Sequence, residues 1–182
     1  MIVSDYHCKI LAIVANHGGR THDARVWNSS QLSRHMLNKY QNGRRNVWLL
    51  GDSGYPLLPY LMTPKLNQPA RSPSASYTDR HATARCTVER TIGIWKGRWR
   101  CLRKERALYY TPEFAEFCFV IVCFSTYSKC SVLHNIAKQY NVLEEIYLEE
   151  EDFHEEGIEA ENANMRARGH ATREAIIERY FA

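Results

Sequence analysis

What the sequence lacks narrows the reading first. No stretch approaches the roughly 18 consecutive apolar residues of a membrane-spanning helix; the longest run, Phe117 to Phe124, stops at Ser125, and no membrane association is expected. The start, Met1-Ile2-Val3-Ser4-Asp5, has no basic-then-apolar leader, so secretion is not expected. Cys8, Cys86, Cys101, Cys118, Cys123 and Cys130 include no Cys-x-x-Cys pair and stand mostly among apolar or helical positions, which reads as reduced intracellular thiols. Proline is nearly confined to one window, with five of the six residues between Pro56 and Pro73, and no internal repeat is visible. Acids are scarce over most of the chain: residues 1–143 hold 8 Asp and Glu against 20 Lys and Arg, whereas residues 144–161 hold ten acids and no Lys or Arg.

That partition implies a basic body with an acidic segment. A basic body suits a polyanionic partner, because each phosphate it neutralises releases counterions; ordinary surface charge on a soluble protein is the plainer reading. The segment 144–161 is expected to be solvated or partly disordered, or to fold back on the basic face and weaken nucleic-acid binding. A length of 182 residues suits one packed core with an appended tail.

Met1 to Val3 and Ile10 to Ala15 are β-prone runs joined by Ser4 to Lys9, a hairpin pattern. From His22 the spacing turns helical, with Val26, Leu32, Leu37 and Tyr40 as core contacts and Asn42-Gly43 as the stop. Val47 to Leu50 reads as a buried strand ending at Asp52, and residues 56–80, rich in proline and serine, as a long irregular connection. Val88, Ile92, Trp95, Trp99 and Leu102 then form one apolar helical stripe with Glu89 at its border. Thr111-Pro112 opens a further helix, and Ala163 to Phe181 a last amphipathic one, docking through Ile176, Ile177, Tyr180 and Phe181. The order is α/β, with three recognisable strands.

The strand ending at Asp52 runs into Gly51-Asp52-Ser53-Gly54-Tyr55-Pro56. GDSG resembles the nucleophile turn of chymotrypsin-like proteases, but the context fails. Only 52 residues precede Ser53, part of them helical, and none of His7, His17, His22 or His35 has a marked partner. Ser53 and Gly54 are better read as letting the chain turn. A carboxylate at a strand end is costly unless paired or bound to a cation, and phosphodiester chemistry uses acids to hold divalent ions about 3.5–4 Å apart. Glu89, 37 positions on, is the natural second acid, although each acid alone is as readily a cap or a salt-bridge partner.

Three segments together resemble the DDE transposase domain of the PIF/Harbinger family and its domesticated relative, the Harbinger transposase-derived nuclease. They are Gly19 to Ser30 (GRTHDARVWNSS), Trp48 to Tyr55 (WLLGDSGY) with Leu61 to Pro64, and Val88 to Gly93 (VERTIG) with Lys96 to Leu102; Leu133-His134-Asn135-Ile136 fits as well. The resemblance implies an RNase H-like fold and an Asp, Asp, Glu triad that binds Mg²⁺ or Mn²⁺ and cuts DNA, with Asp52 as second acid and Glu89 as third. It implies a nuclear protein, DNA as substrate, and a Myb-like partner protein. The family's first acid lies in an Ile-Asp-Gly-Thr-His-like motif, of which this sequence has no copy. Asp5 matches a turn after the family's second strand and is not a substitute. The expected fold is therefore an RNase H-like domain lacking its first, central strand, followed by C-terminal helices. The expected divisions are a partial nuclease domain over 1–137, an acidic linker or disordered segment over 138–161 and an amphipathic helix over 162–182.

Phe124 to Lys129 looks like an insertion of about six residues, which in a helix turns the following face by roughly 240°. His134 and Asn135 are then either displaced or the insert bulges, and His134 is expected to be a hydrogen-bonded core histidine. Between Arg85 and Arg106 stand eight Lys or Arg residues. Trp95 and Trp99 among them are expected in the core, and Arg90, Lys96, Arg98 and Arg100 on a DNA-facing surface. Asp23 near a helix start is expected to steer the helix dipole. Two functions compete: a metal-dependent DNA nuclease, weak or inactive for want of one acid, and a non-catalytic DNA- or protein-binding module derived from a transposase.

Overall fold

The structure, a computed structural model, describes residues 1–15, 21–99, 102, 127–142 and 163–182. The chain divides into two compact units, Met1–Gly19 with Cys86–Asp152, and Arg20–Arg85 with Phe153–Ala182. The expected helix after Thr111 and the acidic segment 144–161 lie outside the described residues.

In the first unit, β1 (Ile2–Ser4) and β2 (Ile10–Ile13) form the expected antiparallel hairpin, with Ile2 opposite Ile13. Its turn is tied by Asp5, whose Oδ1 accepts the backbone N–H groups of His7 and Lys9, both at 2.9 Å. Asp5 is thus a turn-former. The long helix α3 (Pro73–Arg98) crosses from the second unit into this one at Cys86, and helical residues 127–139 (α4) complete it. Ile10, Trp95 and Cys130 make the buried centre, with Ile2, Ile13, Trp99, Leu102 and Tyr127 packed around them. Trp95 is therefore core, as its place on the apolar stripe predicts.

Two residues of α4 fasten it to β2 by polar contacts. The Asn135 side chain accepts the N–H of Ile10 at 2.8 Å and donates to its C=O at 2.7 Å, pairing with the strand as a neighbouring backbone would. His134 is fully buried, with Nε2 2.8 Å from the carbonyl oxygen of Cys8. Both side chains are thus seated on the hairpin, not displaced from it. Cys8 and Cys130 are buried and Cys86 is exposed.

The second unit departs from expectation in three places. The helical stretch after His22 is two helices, α1 (Asp23–Ser29) and α2 (Gln31–Gln41), broken at Ser30. Ser30 is extended, caps α2 by accepting the N–H of Ser33, and donates its hydroxyl to the carbonyl of Trp27, so one buried residue ends one helix and starts the next. The break turns Trp27 and Met36 into the core beside Val26, whereas Leu32, Leu37 and Tyr40 are only half-buried. The stop at Asn42-Gly43 holds, Gly43 having a φ of +85°.

The run Val47 to Leu50 is not a buried strand. Only Leu49–Leu50 (β3) is extended, pairing in parallel with Leu61–Met62 (β4), and Val47, Trp48 and Leu50 are 44, 37 and 47% exposed. Among the described residues β3 pairs with a strand on one side only. The proline-rich stretch supplies the burial instead, since Leu58 to Thr63 lie in the core and α3 begins at Pro73. Pro59 sits in a turn and Pro73 at a helix start, where a missing N–H costs nothing.

The final helix, α5 (Ala163–Phe181), has its expected bounds. Ile177 is buried and Phe181 stacks edge-on against Tyr77 at 5.8 Å, but Tyr180 is 63% exposed and does not dock. Gly169 and Arg173 hold the helix as well. A methyl at residue 169 would meet the Leu57 carbonyl oxygen at 2.9 Å, and buried Arg173 donates to the carbonyl of Pro64 at 3.2 Å. No described helix is long and apolar enough to cross a membrane.

Candidate active site

Asp52 follows directly on β3, in the turn Gly51 to Tyr55. Its side chain is 21% exposed; Oδ1 accepts the N–H of Gly54 at 3.0 Å, and Oδ2 faces the Arg85 guanidinium at 3.4 Å. The pair meets at usual ion-pair distance and keeps the carboxylate at the surface in a fixed orientation. Both glycines of the turn are there for close approach. A methyl at residue 51 would stand 3.1 Å from the Tyr55 ring, and one at residue 54 would stand 3.2 Å from Asp52 Oδ1 and 3.4 Å from Asp23 Oδ2.

Asp23 therefore shares this turn with Asp52. It is the acid of the first turn of α1, as its expected dipole role requires, and it also accepts a hydrogen bond from the Tyr55 hydroxyl. Burial, then the negative charges of Asp23 and Asp52, holds the Tyr55 phenol well above its ordinary range, so it stays a neutral donor. Helical spacing at Asp23 does not disclose this contact, because it depends on Tyr55 folding back over Gly51.

A cleft of about 290 Å³ opens beside the turn, lined by Ala24, Ser53, Gly54, Tyr55 and, from α5, Arg166 and His170 among others. Ser53 is part of its lining, next to Gly54. His170 is the histidine of the lining, and its Nδ1 lies 3.4 Å from the Arg173 guanidinium, where a triad histidine requires a carboxylate. Arg166 and His170 carried no mark in the sequence, since only the docking of α5 brings them to residues 53–55.

The other expected residues distribute as follows. Glu89 lies on α3 in the first unit and is exposed, not held at the border of the core. Arg90 beside it is exposed, Lys96 is half-buried, and Arg98 donates to the carbonyl of Val142 at 3.0 Å; Arg100 lies outside the described residues. Hard carboxylate oxygens suit Mg²⁺ or Mn²⁺. Yet among the described residues no three His, Cys, Asp or Glu side chains gather as a metal seat, and the Asp52 carboxylate already faces a guanidinium. The described donors do not by themselves fit a divalent ion.

The comparisons with known proteins assign the α/β chain that carries this turn to a class, that of the DDE endonucleases. The family described as DDE superfamily endonuclease matches residues 1–135, and the chain belongs to that family, in its Harbinger-derived branch. It is similar to "Putative nuclease HARBI1" of Xenopus laevis, 31% identical over 175 residues (91% of this chain, 47% of the relative), and of Homo sapiens, 29% over 144 residues (78% and 38%). It is also similar to "Protein ALP1-like" of Arabidopsis thaliana, 26% identical over 144 residues (74% and 33%). The chain thus spans less than half the length of these relatives. No solved structure matches it.

Proposed function

We propose that this chain is the DNA-handling part of a Harbinger-derived nuclease, acting in the nucleus on phosphodiester backbones. The observation that carries the reading is Asp52, fixed at the end of β3 by Gly54 N–H and Arg85 in the GDSG turn. Asp52 is the second acid and Glu89 the third of a site that uses Mg²⁺ or Mn²⁺; Glu89 follows Arg85 by one turn of α3. A divalent ion bound there would supply charge neutralisation at the phosphodiester. Asp52 and Glu89 would be two of its oxygen donors, and Arg85 holds Asp52 in orientation. The fold is RNase H-like. Its support is the α/β order and the match of the DDE endonuclease family to residues 1–135.

Because among the described residues no three His, Cys, Asp or Glu side chains gather as a metal seat, and the sequence has no copy of the family's first-acid motif, cleavage by this chain alone is expected to be weak or absent. That observation also favours a second reading, a non-catalytic DNA- or protein-binding module. Arg90, Lys96, Arg98 and Arg100 are the phosphate-tracking residues of either reading, and a Myb-like protein is the expected partner. The test is plasmid nicking with Mg²⁺ or Mn²⁺. Nicking that Asp52→Asn abolishes establishes the enzyme, whereas no nicking with salt-sensitive DNA binding that Asp52→Asn leaves intact establishes the binding module.

A further inference from the structure

The cleft beside the GDSG turn has a cationic wall that nothing in the DDE site itself supplies. Arg166 and His170 stand one turn apart on α5, beyond the residues matched to the family, and face Ser53 and Gly54 across about 290 Å³. Arg166 is half-buried, and its Nε is shut off from solvent without a hydrogen-bond partner. Among the described residues its guanidinium makes no ion pair. Such a group is costly to hold in place unless an acceptor completes it. His170 is oriented from behind: arginine can only donate, so the contact from Arg173 makes Nδ1 the acceptor and leaves the ring proton on Nε2. Arg173 itself is buried and fixed by the carbonyl of Pro64, so the imidazole has a rigid support. The opposite wall is not free to supply the missing acceptor, because Asp23 takes the Tyr55 hydroxyl and Asp52 faces Arg85.

We infer that Arg166 and His170 form a seat for one phosphodiester group of DNA, next to the turn that carries Asp52. A planar guanidinium and an imidazole N–H converging on one cleft are donors matched to phosphate oxygens. The cleft has room for the phosphate and a flanking sugar. The seat rests on the DNA-handling reading above, and deepens it by giving α5 a role in positioning the strand at the acid turn.

Fluorescence anisotropy of a short labelled duplex with the full chain, over a salt series, tests it. Arg166→Gln is expected to weaken binding roughly three- to tenfold and to lower the slope of log K against log salt by about one. His170→Gln is expected to weaken binding as well, and Arg166→Lys to restore part of the loss. Arg168→Gln is the charge-matched control: Arg168 is exposed on the same helix and does not line the cleft. Circular dichroism melts of each variant show that α5 stays docked. Equal effects of Arg166→Gln and Arg168→Gln, or none from Arg166→Gln and His170→Gln, would overturn the seat while leaving DNA binding in place. Failure of the unaltered chain to bind DNA even at low salt would overturn the DNA reading and the seat together.

Discussion

The two units solve the same problem, burying a short sheet against helices, by different chemistry. In the first, polar side chains fasten α4 to the hairpin. Asn135 takes both backbone groups of Ile10 and His134 reaches the carbonyl of Cys8, around a small centre of Ile10, Trp95 and Cys130. In the second, aromatic contacts dominate: Trp27 packs against Tyr55 and Tyr60, each at 6.5 Å, and Tyr40 against Tyr60 at 5.8 Å. The second unit also buries polar groups, Ser30, His81 and Arg173, each hydrogen-bonded to a backbone carbonyl, and it carries the turn with Asp23, Asp52 and Arg85. Aromatic packing can thus supply the bulk of a core while a few buried polar groups tie it to the backbone.

The largest blow to the second unit is expected from Trp27→Ala, which empties a site 1% exposed and should cost about 3–5 kcal/mol, read as a fall in the urea midpoint. The matching strike on the first unit is Asn135→Leu. It strands the N–H and C=O of Ile10 and should cost about 1–3 kcal/mol, with faster hydrogen exchange at the Ile10 amide as its local mark. Retained protection there would show that the amide clamp does not hold the hairpin. Arg85→Gln should shift stability by no more than about 1 kcal/mol, because the ion pair is partly solvated, while loosening Asp52.

The gentlest probe is pH. His81 is buried on α3 with Nε2 3.2 Å from the Met62 carbonyl oxygen, and burial lowers its pKa from the ordinary 6.5. The unfolded chain therefore takes up the proton first as pH falls. The stability of the neutral form is whole above about pH 6.5 and declines below it, towards the depressed folded pKa. His81→Gln should flatten that decline in urea midpoints measured between about pH 7 and about pH 5.5. Tyr77 is the alkaline counterpart. Its phenol donates to the Thr63 carbonyl and burial pushes it up to about 12, so the second unit should lose stability as pH rises from about 10 towards that value.

Local pattern carried much of this. The hairpin, the stop at Gly43, the bounds of α5 and the core role of Trp95 all follow from side-chain periodicity or turn chemistry, which act over a few residues. The errors fall where distant partners decide. Val47 to Leu50 is apolar enough for a buried strand, yet hydrophobicity does not say whether a neighbour covers it. Residues 58–63 look like a loop because proline and tyrosine hide a core segment that α1, α2 and α5 enclose. The break at Ser30 was available as a helix N-cap, but an unbroken helical spacing masked it.

At the site, the sequence by itself determined Asp52, the Gly-Asp-Ser-Gly turn that displays it and the family to which the chain belongs, because motif order and turn chemistry are written along one strand of text. Only the tertiary structure decided that Arg85 faces Asp52, that Tyr55 donates to Asp23, and that Arg166 and His170 of α5 line the cleft beside Ser53 and Gly54. These residues lie 32 to 117 positions from their partners, and proximity of that kind is created by packing rather than by spacing.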